Sequence, residues 1–263
     1  MYRILDHGRM RHAVTTGASL IALVVVLCGC ERQAPRLSDV FDQAKLQEMD
    51  QTIEQHLADG KFPGGVLWLE RRGVSYVRAY GQRALIPARE PMSTDTIFDA
   101  ASLTKVLATT PAVLLLIERG QVRLDATAQT YLAEFKGDGK ENITVRQLLT
   151  HTSGLRPGLS HTPPWSGYEK GISLCCDDKP LNKPDEVFRY SDINFIVLGE
   201  IVQRVSGERL HDFASREVFQ RLKMNDTGFL PPETLRSRIA PTEKIGEDVL
   251  RGAVHDPKAR KMG

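Results

Sequence analysis

The stretch Phe98-Asp99-Ala100-Ala101-Ser102-Leu103-Thr104-Lys105 opens a long, nearly all-apolar segment that runs on to Ile117. A helix apolar all round is usually buried, and Pro111 inside it predicts a kink or a division in two. A serine hydroxyl is a poor nucleophile at neutral pH and needs a base within hydrogen-bond reach. Residues i and i+3 share a helix face, so Lys105 can meet the Ser102 hydroxyl directly. Burial and a neighbouring dipole are expected to lower the lysine pKa, so that the amine accepts the proton. Ser102 also lies near the start of its helix, where free N–H groups and the positive dipole end would stabilise an oxyanion. A Ser-x-x-Lys spacing alone arises about once by chance in a chain this long. Context adds to it: a lysine flanked by Ala, Leu, Val and Ile needs a reason to be there.

Outward from this segment the chain reads as α+β. Leu46, Met49, Ile53 and Leu57 recur at helical spacing, with Gly60 as the stop. Val66 to Glu70 and Val74 to Tyr80 predict a hairpin around Arg71-Arg72-Gly73. Thr144-Val145-Arg146-Gln147 fits a capping box opening a short helix through Leu148, Leu149 and His151, ended by Gly154. From Arg156 to Pro184 the chain is rich in Pro, Gly and Ser without a sustained period, as in a lid or a substrate-binding wall. Ile193, Ile196, Val197, Ile201, Val202 and Val205 mark an amphipathic helix ending at Gly207. Another helix is expected around Phe213, Phe219 and Leu222, and the tail from Pro231 is polar and irregular. One hairpin followed by helices and loops is not a βαβ alternation. Two strands alone do not form a stable sheet, so this one needs further partners.

Tyr190-Ser191-Asp192 stands at the head of the second apolar helix. A phenol followed at +2 by a polar side chain can sit beside the Ser–Lys pair and relay a proton to a leaving group. The structural alternative is a buried core tyrosine with Ser or Asp as N-cap. Taken with Phe98–Lys105 and with Leu148-Leu149-Thr150-His151-Thr152-Ser153-Gly154-Leu155, this tripeptide resembles the serine β-lactamase-related family. That family includes class C β-lactamases, D-alanyl-D-alanine carboxypeptidases and β-lactamase-like esterases. The likeness runs from about Leu46 to the C-terminus, in order and at family-like spacing, and is more specific than either motif alone.

The resemblance implies a β-lactamase/transpeptidase-like α+β fold, a helical domain packed on an antiparallel sheet with the site between them. It implies Ser102 as acylated nucleophile, Lys105 as its base and Tyr190 as proton relay. Asp192 takes a substrate-binding position where many members carry Asn. His151 is expected to play a structural role near the cleft, and Ser153-Gly154 reads as a helix-stop turn. The family's Lys/His-x-Gly strand does not appear, although Arg251-Gly252-Ala253-Val254-His255-Asp256-Pro257 resembles what precedes it in some members. The expectation is a truncated product whose sheet lacks its C-terminal strands. Loss of one oxyanion donor costs on the order of 10²–10³ in rate.

The remaining features concern location and chemistry excluded. The formal charge of +2 is carried by the first 29 residues, where Arg3, Arg9 and Arg11 outnumber Asp6. A neutral body without a basic stripe gives no footprint for nucleic acid. Basic residues precede an uncharged stretch, Ala13 to Leu27, too short for a comfortable transmembrane helix. It ends in Leu27-Cys28-Gly29-Cys30, which resembles the bacterial lipobox. Residues 1–29 are then a lipoprotein signal peptide, Cys30 is the lipidated first mature residue, 30–43 a linker and 44–263 the hydrolase domain. Glu31 in place of aspartate favours the outer membrane, facing the periplasm. Cys175 and Cys176 are adjacent and read as two unbonded loop thiols. No HExxH, P-loop, GxGxxG or GxSxG occurs, so neither metal nor cofactor is implied. These features combine into a lipid-anchored serine hydrolase acting on a small-molecule or peptidoglycan-peptide substrate. The alternatives are a non-catalytic envelope binding protein and an inactive fragment of such a hydrolase.

Overall fold

A computed structural model describes residues 34–263, so the signal segment and Cys30 lie outside the described residues. A single turn, α1 (Leu37–Val40), precedes α2 (Gln43–Ala58), whose N-cap Asp42 accepts the Ala44 and Lys45 N–H groups. The hairpin forms as read, with β1 (Gly64–Arg71) antiparallel to β2 (Val74–Ala84). Arg72 and Gly73 both take positive φ, 55° and 74°. That two-residue turn matches the twist of the paired strands. A third strand that the sequence reading lacked, β3 (Glu90–Pro91), pairs with β2 and gives the order β1-β2-β3. α2 is fastened to β2 through buried Asp50, which accepts from Tyr76, Arg78 and Tyr80. Burial raises the Asp50 pKa, but these donors outweigh it and hold the carboxylate below its ordinary value.

The helical half owns the main core. It gathers α3 (Thr110–Glu118), α4 (Val145–Leu149), α5 (Tyr168–Cys176), α6 (Asp192–Ser206) and α7 (Leu210–Ala214). α6 contributes Ile193, Val197, Leu198, Ile201 and Val202, all fully buried. Each such side chain stabilises by about 1.5–3 kcal/mol relative to exposure. The capping box at Thr144 is realised in both directions, with Thr144 Oγ1 accepting Gln147 N–H and Gln147 Oε1 accepting Thr144 N–H.

Four expectations change. Pro111 does not divide its helix: a π-helical turn, Lys105–Thr109, runs directly into α3, with the proline in the first turn of α3. A widened turn removes the clash between the proline ring and the carbonyl four residues back. The segment is also not buried all round. Ala112, Val113 and Leu116 enter the core, whereas Leu103, Val106 and Leu114 stay exposed. The long segment after Arg156 contains α5, which carries Cys175 and Cys176 into the core as buried helical residues, not loop thiols. Burial pushes the Cys176 thiol up to about 11. The tail holds a short hairpin, β4 (Lys244–Ile245) with β5 (Asp248–Val249), and a last helix, α8 (Pro257–Met262). Arg251 clasps Glu90 on β3 at 2.7 and 3.0 Å, and with Arg83 it draws the Glu90 pKa down to about 2.

Helix α4 stops at Leu149, short of the expected end, and His151 (φ 58°) takes the left-handed turn that follows it. Gly154, at φ +82°, lies in the loop beyond, where a Cβ would lie 2.1 Å from the Asn182 carbonyl oxygen. Gly154→Ala is expected to cost at least about 2 kcal/mol in urea unfolding, through backbone clash plus left-handed strain. Gly120→Ala, at φ +70° in open space, should cost only about 1 kcal/mol. Equal losses would show that crowding at Asn182 is not what holds this turn.

Candidate active site

Ser102 lies in a 3₁₀ turn, Ala101–Leu103, at the head of the helix that continues through the π turn into α3. Ala101 holds φ 46°, a left-handed conformation costly for a residue with a Cβ. Asp99 supports it, its Oδ1 accepting the Ala101 N–H at 2.8 Å. One turn on, Lys105 Nζ donates to Ser102 Oγ at 3.1 Å and to Asp192 Oδ1 at 2.9 Å. The ammonium also lies 4.9 Å from the Tyr190 ring centroid and 5.8 Å from that of Phe195. Ser102, Lys105, Tyr190 and Asp192, chosen from sequence, therefore converge.

Tyr190 and Asp192 are placed by a ladder of contacts to two other loops. Arg189 N–H donates to the His151 carbonyl and Asp192 N–H to the Pro157 carbonyl, both at 2.8 Å. Between them, Ser191 N–H donates to His151 Nδ1 at 3.1 Å, and Ser191 Oγ donates to the Arg156 carbonyl at 2.5 Å. Ser191 stands at the N-cap position of α6, yet its hydroxyl makes no capping bond. It stitches the loops instead. Arg156 is in turn held by the fully buried carboxylate of Asp178.

His151 takes φ 58° and packs its ring, tilted, against Tyr190 (centroids 4.4 Å apart) and Phe195 (5.1 Å). Its Nδ1 also receives the Asn194 side-chain amide at 3.2 Å, and buried Asn194 accepts from Ser153 Oγ at 2.6 Å. A ring accepting at Nδ1 carries its proton at Nε2. Burial first, then the charge of Lys105, holds the His151 pKa below its ordinary value. His151 thus has the structural place expected of it, as the platform under Tyr190. Tyr190 itself is 45% exposed, so it is not the buried core tyrosine of the alternative reading.

The protonation of Lys105 differs from expectation. Burial is the largest single influence and lowers its pKa, but the Tyr190 hydroxyl and the Asp192 carboxylate outweigh it. The net displacement is upward, so the resting group is an ammonium. Tyr190 first and then Asp192 are the physical reason, since hydrogen-bond acceptors and a nearby carboxylate favour the charged amine. Sequence reading also missed Asn194 and Phe195, whose spacing from Tyr190 places them over His151 once the helix starts at Asp192. Asp99 lies within the Phe98–Lys105 stretch, whose pattern gives it no role, and nothing in the sequence pattern marks Lys258, which reaches the site from a distant segment. Among the described residues no cluster of three or more His, Cys, Asp or Glu could hold a metal.

A family model described as Beta-lactamase matches residues 49–261. Esterase EstB of Burkholderia gladioli is 35% identical over 226 residues, covering 78% of this chain and 54% of the esterase. The N-acetylmuramyl-L-alanine amidase of Bacillus subtilis (strain 168) is 30% identical over 254 residues, covering 83% of this chain and 57% of the amidase. The chain therefore spans little more than half the length of these curated relatives. A solved class C β-lactamase superposes with a TM-score of 0.68 at 22% identity, over 80% of this chain and 58% of that one. At that identity it establishes the fold, a β-lactamase-like arrangement of helices and antiparallel sheet.

Two outcomes follow from the charges at this site. A histidine whose folded pKa lies below its unfolded value near 6.5 contributes stability that is complete above that value. That contribution falls away as the pH drops toward the folded pKa. His151→Asn keeps an acceptor and tolerates positive φ. Its stability relative to wild type should therefore improve as the pH is lowered from 7 to 5, read by urea melts; a constant difference would exclude the linkage. Asp192→Asn removes the anion that holds the Lys105 proton, so the Lys105 titration midpoint should fall, as followed by NMR of ¹³C-labelled lysine.

Proposed function

Because the chain belongs to the Beta-lactamase family, we propose that it is a serine hydrolase cleaving amide or ester bonds through an acyl-Ser102 intermediate. The observation that carries this reading is Lys105 Nζ at 3.1 Å from Ser102 Oγ, one helical turn away and turned toward the Tyr190 ring. In the proposed reaction Ser102 Oγ attacks the substrate carbonyl carbon while its proton passes to the Lys105 amine. Tyr190 relays a proton to the departing nitrogen or oxygen, and the carbon–heteroatom bond breaks. Water then attacks the acyl-serine ester, releasing the acid and restoring the hydroxyl. The Ser102 N–H would receive the developing oxyanion, since the Ala101, Leu103 and Thr104 N–H groups are bonded to Asp99, the Ala100 carbonyl and the Ala101 carbonyl.

The resting ammonium must first lose its proton. Burial is the largest influence on Lys105 and acts downward, so a substrate that covers the cleft and expels water lowers its pKa further. Acylation in this scheme speeds up as the pH rises. The substrate class is a small amide or ester, including peptidoglycan peptides, in keeping with relatives named as an amidase and an esterase. The mechanism needs no cofactor. The signal-like N-terminus and Cys30 support attachment by lipid chains to the cell envelope, at the outer membrane facing the periplasm.

Labelling with a fluorophosphonate or a fluorescent penicillin tests this reading. Ser102→Ala should abolish the label, and Tyr190→Phe should slow its turnover by about 10²–10⁴-fold. Equal labelling with and without the Ser102 hydroxyl would overturn the assignment and leave a binding protein.

A further inference from the structure

Asp192 does not face Lys105 alone. Its Oδ2 lies 3.9 Å from the ammonium of Lys258, on the first turn of α8, while its Oδ1 takes Lys105 at 2.9 Å. We propose that Lys258 is a positioning residue which, by sharing the Asp192 carboxylate, sets how readily Lys105 releases its proton. This inference rests on the reading of Lys105 as the proton acceptor. The charge balance explains the effect. With Lys105 charged, two cations share one anion; once Lys105 is neutral, Lys258 and Asp192 remain as a balanced pair. Without Lys258, a neutral Lys105 would leave the Asp192 carboxylate uncompensated in a partly dry cleft. Lys258 therefore favours the neutral amine that the reaction needs.

The placement of Lys258 is built rather than incidental. Asp256 caps α8, accepting the Lys258 N–H at 2.7 Å and the Ala259 N–H at 3.3 Å. The helix end is tied back where Gly167 N–H donates to the Lys261 carbonyl at 2.7 Å. Just before α8, His255 N–H donates to Asp99 Oδ2 at 2.7 Å, and Asp99 is the carboxylate that also supports Ala101. The segment from His255 to Lys258 thus touches the site on its serine side and on its lysine side. Gly158 provides the space: a Cβ there would lie 2.4 Å from Lys258 Nζ and 3.6 Å from Asp192 Oδ2. The side chains of Lys105 and Lys258 are only 15% and 22% exposed, so their repulsion is screened less than at a free surface. The titratable groups facing Lys105 are Asp192 and Tyr190, His151 beyond them, and Lys258 across the carboxylate.

The test is NMR of ¹³C-labelled lysine in the full-length protein, with the Lys105 signal assigned through Lys105→Arg. Lys258→Met should raise the Lys105 titration midpoint by up to about one pH unit, as expected when a like charge on the far side of a shared carboxylate is removed. Lys258→Arg, which keeps the charge, should restore it. Gly158→Ala offers an independent route, because its methyl displaces only the flexible end of Lys258 from Asp192. It should raise the midpoint by a smaller amount with near-normal stability. An unchanged midpoint in both Lys258→Met and Gly158→Ala would overturn the inference, whereas a purely structural role for Lys258 would lower stability without moving the midpoint. Fluorophosphonate labelling of the same variants separates the two readings. Loss of the Ser102 requirement would refute the hydrolase mechanism, while a stationary Lys105 midpoint with Ser102-dependent labelling intact refutes only the role of Lys258.

Discussion

The contact between Lys105 and Asp192 joins the two helices on which the site depends. One helix begins at Ser102 and the other at Asp192, 87 residues apart for the bonded pair, and their N-terminal ends meet at this ion pair. Taking two charges partly out of water is costly, and such a pair persists only where further partners share the charge. Tyr190, Phe195 and Lys258 supply them here. The same cluster that brings Ser102, Lys105 and Tyr190 together also holds the amine in its charged form, through Tyr190 and Asp192. Geometry and protonation are therefore opposed at this site, and burial is the influence on Lys105 that acts against its charge.

Rigidity reaches the site from the core by a short route. The buried face of α6 anchors that helix, and its first residue is Asp192. Asp178, with no exposure, holds Arg156, whose carbonyl takes Ser191 Oγ, and Ser191 N–H meets His151. The His151 ring then packs, tilted by 34°, against the ring of Tyr190. An aromatic ring that is 45% exposed keeps a defined orientation because the loop beneath it is stitched on three sides.

Much of the architecture was legible from periodicity and local chemistry. The hairpin followed from alternation around Arg72-Gly73, α6 from its apolar spacing, and α4 from a capping box whose two bonds are both made. These are local signals, carried by residues within one or two turns of each other. What escaped depends on partners elsewhere. α5 lies in a segment whose composition suggests a loop, and it becomes helical where Ile172, Cys175 and Cys176 find the core. Pro111 reads as a break, and only the widened turn before it lets the helix continue. The two-residue strand β3 carries no pattern of its own and is defined by its pairing to β2.

The sequence alone determined which residues stand close along the chain: a serine and a lysine three apart, a tyrosine and an aspartate two apart at the head of a helix. It also determined the family, since those stretches occur in order along one chain. Only the tertiary structure decided how they act on one another. The charge on Lys105 is set by Tyr190 and by a carboxylate 87 residues away, and that carboxylate is shared with a lysine from α8. Coulombic coupling depends on distance through space and on the exclusion of water, and neither quantity is written in the spacing of residues along a chain.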